Sequence, residues 1–169
     1  MEKRDNRGFE FFDVHTHFQL HEDQECSRKL LSNVSMEGFG LMGTNYKDWE
    51  VVKKLALEFP TKIVPGFGIH PFSVNAILLA DPVDNPNEIG PRPNPIPFDW
   101  EKDLENLLCE FPNSIVGEIG LDKVATDKIT GAKYGLELQM NVFDRQFRIA
   151  SRLNRPVSVH CLKSRMRND

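Results

Sequence analysis

The chain has 169 residues, enough for one domain with its own core but short of the roughly 250 that an α/β barrel typically takes. With 40% hydrophobic and 27% charged residues the composition is that of an ordinary soluble globular protein. The net charge of −4 argues against a broad basic surface for nucleic acid, yet leaves room for a compact site where metal ions neutralise phosphate.

In chain order, Phe11 to His17 alternates apolar and polar residues and reads as a strand with Asp13, His15 and His17 on one face. Two imidazoles so placed can turn toward one cation, with Asp13 as an outer partner orienting a ring. By itself a His-x-His pair is a weak motif. Leu20 to Ser32 is polar and reads as a loop or short helix, and Met36 to Thr44 as a second strand weakened by its glycines. Asn45 to Phe59 reads as a helix capped by Asn45 and stopped by Pro60, with Trp49, Val52, Leu55, Ala56 and Phe59 inward. A third strand, Thr61 to His70, closes on Gly68-Ile69-His70-Pro71.

Residues 81–97 carry six prolines and read as an extended surface insertion within a single domain spanning 1–169. Asp99 then caps a helix with Trp100, Leu104, Leu107, Leu108 and Phe111 inward. Ser114 to Asp122 reads as a strand, Lys123 to Tyr134 as a loop, and Gly135 to Asn154 as a helix with an inward stripe of Leu136, Met140, Phe143, Phe147 and Ala150. Pro156 to Cys161 is a last strand, and Lys163 to Asp169 a basic, polar tail. Strands alternating with helices predict a parallel α/β sheet.

His15 and His17, His70, Glu118 and Asp122, and His160 all stand at the carboxyl ends of predicted strands, the edge where such sheets build their sites. A Glu within an apolar strand is costly unless paired or bound to a cation. Together these residues predict a metal centre of imidazoles and a carboxylate, a donor set that suits zinc and tolerates manganese or magnesium. Neither a Ser-His-Asp nor a Cys-His arrangement is evident, and strand parity turns Cys161 away from the site.

The elements Asp13-Val14-His15-Thr16-His17, Gly68-Ile69-His70-Pro71, Gly117-Glu118-Ile119-Gly120-Leu121-Asp122 and Pro156-Val157-Ser158-Val159-His160 resemble those of TatD-related deoxyribonucleases, metal-dependent hydrolases of the amidohydrolase superfamily. Gln139 to Ala150 resembles the helix that precedes the family's last motif here, and Phe18, where the family often has Leu, departs from it. The resemblance implies a TIM-type (β/α) barrel and two divalent metal ions (zinc, magnesium or manganese). His15 and His17 would hold the first ion, Glu118 would bridge both, and His160 would hold the second. His70 would face the phosphate, and Asp122 would act beside Glu118 in catalysis. A metal-activated hydroxide would attack DNA or another phosphodiester while both ions stabilise the developing charge. Hydrolysis of small amides or esters and a non-catalytic interaction role are the alternatives.

The family's pattern continues with a further His and a late Asp that have no counterpart after His160. About five of a barrel's eight strands are present, so the expectation is a C-terminally truncated form with impaired activity. The cysteines Cys26, Cys109 and Cys161 are odd in number and lack C-x-x-C spacing, as reduced intracellular thiols do. Met1 to Gly8 has no apolar core for a signal peptide and no apolar run reaches membrane length. The expected location is the cytoplasm, with the nucleus open, and with no membrane association and no obligate protein partner.

Overall fold

The structure is a computed structural model, and it describes residues 11–33, 35–75, 99–126, 131 and 133–163. Five strands form one sheet in the order β1 (Phe12–Thr16), β2 (Gly38–Met42), β3 (Ile63–Phe67), β4 (Ile115–Asp122), β5 (Val157–Leu162). Every neighbouring pair is parallel. The crossovers carry α1 (Gln24–Asn33), α2 (Trp49–Glu58), α3 (Trp100–Glu110) and α4 (Leu136–Arg152). Sequential strand order with helical crossovers is the pattern of a (β/α) barrel, here a half-barrel whose edges are β1 and β5. The Pro-rich stretch 81–97 lies outside the described residues.

Apolar side chains of the inner strands and the helices make the core. Phe39, Leu41, Phe67, Val116 and Ile119 are buried against Trp49, Val52, Leu55, Trp100, Leu104 and Leu108. β2 is buried along its whole length, as a central parallel strand must be. At the sheet edges the apolar side chains are exposed instead: Phe12 and Val14 on β1, Val159 and Leu162 on β5.

Local rules account for most boundaries, with instructive shifts. Asp99 caps α3, accepting from the Lys102 N–H. The α2 cap is Asp48 rather than Asn45, because the Asp48 carboxylate accepts from Thr44 N–H and Asn45 N–H and folds residues 44–48 into a turn before the helix starts. β3 ends at Phe67, so His70 stands beyond the strand on the short 3-10 turn Pro71–Ser73.

The inward stripe of α4 differs from the expected one. Met140 and Phe147 are 44% and 48% exposed, whereas Gln139 and Gln146 are wholly buried beside Val142, Ile149 and Ala150. The helix is rotated from the stripe drawn through its largest apolar residues, because its inner face meets strand ends that need polar partners.

Candidate metal centre

Glu118 is the hub. It lies in mid-β4, only 7% exposed, with its N–H donating to the Gly43 carbonyl. Its two carboxylate oxygens face different groups. Oε2 lies 3.2 Å from His15 Nε2 and 3.2 Å from His17 Nε2, and those two nitrogens are 3.1 Å apart. Oε1 lies 3.0 Å from His160 Nδ1 and 3.7 Å from His70 Nε2. The ligand-type atoms of His15, His17 and Glu118, and separately those of His70, Glu118 and His160, each lie within 4.8 Å of one another. The first triangle fits one small cation: the edges of a tetrahedral zinc site with bonds near 2.0–2.1 Å are about 3.3 Å.

The backbone makes this convergence possible. The register between β1 and β2 shifts between Asp13 and Thr16, and that between β4 and β5 shifts between Val116 and Ile119. His15 and Glu118 thus fall inside the two irregularities, where a bulge re-aims side chains. Gly120 lets β5 come close enough for His160 to reach Glu118, since a Cβ there would lie 1.9 Å from the His160 carbonyl oxygen.

Hydrogen bonds fix the ring orientations. His17 Nδ1 donates to the Met42 carbonyl at 2.8 Å, which turns the Nε2 lone pair toward Glu118, where it could take a cation. The buried Gln19 amide donates to the same carbonyl and to Asp48. His15 Nδ1 lies 3.1 Å from Ser158 Oγ, a contact from the first strand to the last. His160 Nε2 lies 2.9 Å from Asp122 Oδ2, and Asp122 is fully buried with Oδ1 accepting from the Val124 N–H. Asp122 therefore acts on His160, as a carboxylate behind a ligating imidazole does. Asp13 does not reach a ring: it is exposed, and its carboxylate accepts from the His15 backbone N–H. The orienting partners are Met42 and Ser158, which sequence reasoning missed. A backbone carbonyl leaves no trace in sequence, and Ser158 is recognisable only through its parity with His160.

His70 differs from the other rings. Its Nδ1 accepts from the Phe72 N–H at 3.1 Å, so the neutral ring carries its proton on Nε2, the atom that faces the site. Burial, reinforced by the nearby His160 and opposed by Glu118, pushes its pKa down to about 4. His70 is thus a neutral hydrogen-bond donor near pH 7, although distance alone would admit it as a ligand.

The Glu118 charge favours cation uptake, and the His17 proton opposes it. Burial would raise the Glu118 pKa, but the His17 hydrogen bond and the charges of His70 and His15 outweigh it and hold the carboxyl at about 2. His17 is raised above 6.5, chiefly by its hydrogen bond to Glu118, against burial and with help from the Met42 carbonyl. A raised histidine pKa contributes stability that is full below 6.5 and lost as pH rises through the folded value. The same proton competes with a metal for Nε2. Zinc affinity is therefore expected to rise as pH climbs above 6.5 and through the raised His17 value, with proton release on binding. Calorimetry in buffers of different ionisation enthalpy reads this, and an affinity flat across that range would contradict it.

Among the described residues no helix is long and apolar enough to cross a membrane. The three cysteines are free and exposed.

Comparison with known proteins gives consistent relatives. The family model for TatD-related DNase matches residues 12–167. The Cut9-interacting protein scn1 of Schizosaccharomyces pombe is 29% identical over 80% of this chain and 51% of its own length. An uncharacterized deoxyribonuclease of Saccharomyces cerevisiae is 28% identical over 73% of this chain and 48% of its own. The chain thus spans about half the length of the curated relatives it matches. Two crystal structures share the fold. An uncharacterized amidohydrolase from Saccharomyces cerevisiae superposes with a TM-score of 0.63 at 16% identity, covering 93% of this chain and 49% of the other. A TatD family hydrolase from Entamoeba histolytica gives 0.59 at 18% identity, covering 92% and 50%.

Proposed function

This chain belongs to the TatD-related DNase family, and we propose on that footing that its His–Glu cluster is the two-cation centre of a deoxyribonuclease that hydrolyses phosphodiester bonds. The observation that carries this reading is the division of Glu118, with one oxygen turned to His15 and His17 and the other to His160 and His70. A carboxylate so shared can bridge two ions, and the donor set suits zinc, manganese or magnesium. Divalent ions held there would supply Lewis acidity, making a water nucleophilic near neutral pH and offsetting charge on the phosphate.

The chain's own residues have separate tasks. His15 and His17 offer Nε2 to one ion and His160 offers Nδ1 to the other. The Met42 carbonyl, Ser158 and Asp122 hold those rings in the ligating orientation. His70 is placed to donate its Nε2–H to a phosphate oxygen, as a preorganised donor for developing negative charge. The family's name and that of the budding-yeast relative support DNA as the substrate. The cytoplasm, with access to the nucleus, remains the compartment of this reading.

The test is hydrolysis of bis(p-nitrophenyl) phosphate and of DNA oligonucleotides with added zinc, manganese or magnesium, beside a panel of amides, lactones and carboxylic esters. Turnover of the phosphodiesters alone supports the nuclease reading, and turnover confined to the panel replaces it with an amidohydrolase activity. His70→Ala is expected to leave metal content unchanged while lowering kcat about 10²–10³-fold, the effect of removing one oxyanion donor. Loss of bound metal in that variant would make His70 a ligand instead.

A further inference from the structure

Two buried glutamines on α4 have no part in the ligand set, yet both grip the strand ends that carry it. Gln139 Oε1 accepts from the Asp122 N–H at 2.7 Å, and its Nε2 donates to the Asp122 carbonyl at 3.0 Å and to the Tyr134 carbonyl at 3.3 Å. Gln146 repeats the arrangement one strand over. Its Oε1 accepts from the Ile69 N–H at 2.7 Å, and its Nε2 donates to the Ile69 carbonyl at 3.2 Å and to the Val142 carbonyl at 3.3 Å. Both side chains have no solvent exposure. The two residues are seven apart, two helical turns, and so share one face of α4.

The residues they grip matter more than the grip itself. Asp122 is the last residue of β4, and its carboxylate holds His160 Nε2. Ile69 lies two residues past the end of β3 and immediately precedes His70. At this carboxyl edge the ladder runs out, and a buried backbone N–H and C=O pair needs both an acceptor and a donor. An uncharged primary amide offers both from one side chain. Lys or Arg would only donate, and Glu would only accept and would bring a second buried charge beside Asp122.

We propose that Gln139 and Gln146 are positioning residues that set His160 and His70, respectively, against Glu118. α4 acts as one rigid rod with two prongs, so it fixes these two histidines relative to each other as well as to the sheet. His15 and His17 take their orientation from Ser158 and Met42 and lie outside this control. The inference rests on the site proposed above, but it concerns the metal-free protein and can fail or hold independently of any hydrolysis.

The experiment is ¹⁵N correlation NMR of the histidine rings at fixed pH, without metal. Gln139→Met keeps the side-chain length and removes the paired hydrogen bonds. It is expected to shift the ring resonances of His160 while leaving those of His15 and His17 in place. Gln146→Met is expected to do the same to His70. Val142→Ala, a buried change on the same helix, is the control for general loosening, and it should move none of the four. Gln139→Glu and Gln146→Glu retain the acceptor, lose the donor and add a buried charge, so as a second variant pair they should shift the same ring at least as far as the Met variants. With zinc added, Gln139→Met should weaken binding about tenfold, as loss of an outer partner does. Unchanged His160 and His70 rings in the Gln variants, or equal shifts in Val142→Ala, would overturn the proposal.

Discussion

Glu118→Ala is expected to abolish stoichiometric binding of both proposed cations, because the His15–His17 pair and the His160–His70 pair each face one oxygen of this residue. The loss of zinc affinity should exceed the roughly 100-fold that removal of an outer partner can cost, since a direct ligand would disappear from both proposed sites at once. No change of His15, His17 or His160 alone should match it: each is expected to empty one site and weaken the other. Metal content by mass spectrometry of the native protein, with His15→Ala and His160→Ala in parallel, checks this. Retention of one tightly held ion in Glu118→Ala would show that the carboxylate does not bridge.

Loss of the Glu118 carboxylate also has a signature without metal. Because the folded Glu118 carboxyl lies at about 2 against 4.5 for the free group, it contributes stability that is complete above 4.5 and is lost as pH falls toward 2. Glu118→Gln should therefore flatten the acid limb of the stability curve. It should also lower the His17 pKa, since the hydrogen bond to Glu118 is the largest influence raising it.

Gly120→Ala is expected to be the most damaging addition of a methyl group among the glycines of the described residues. The new Cβ would meet three backbone atoms of His160, at 1.9 Å from the carbonyl oxygen, 2.7 Å from the carbonyl carbon and 2.9 Å from the nitrogen. Backbone cannot rotate aside as a side chain can, so β5 must separate from β4 at the residue pair Gly120–His160. The φ of +154° at Gly120 adds strain for any residue with a Cβ. Overpacking and backbone strain of this kind together cost about 3–5 kcal/mol, a large share of the stability of a small domain. Urea melts should show the loss, and any folded fraction should have weaker zinc binding through His160 than through His15 and His17. A melting midpoint equal to that of the unaltered protein would refute the account.

Much of this architecture was legible in the chain itself. Period-two and helical spacing located the strands and α2, α3 and α4 to within a few residues, because burial on one face imposes those periods on any sequence. The four segments that carry His15 and His17, His70, Glu118 with Asp122, and His160 were recognisable for the same reason. They lie on the strands of a parallel sheet or just past their ends, and buried polar residues are tolerated there only for a purpose.

What the sequence could not supply was the set of contacts made by groups it does not distinguish. The Met42 carbonyl that orients His17 is backbone, common to every residue. The N–H that makes His70 a donor belongs to Phe72, whose side chain gives no hint of it. Hydrophobic spacing favours Met140 and Phe147 over Gln139 and Gln146, since it is blind to a buried amide that saturates a strand end. Asp13 has the right type and parity for an outer partner, but its short side chain bonds the adjacent backbone instead. Composition and periodicity thus determined which residues could meet at one edge of a parallel sheet. Only the tertiary structure, through two register shifts and the close approach of β5 at Gly120, decided which atom of each faces Glu118. Hydrogen bonds and ligand geometry depend on distances of tenths of an ångström, and those are fixed by packing rather than by residue type.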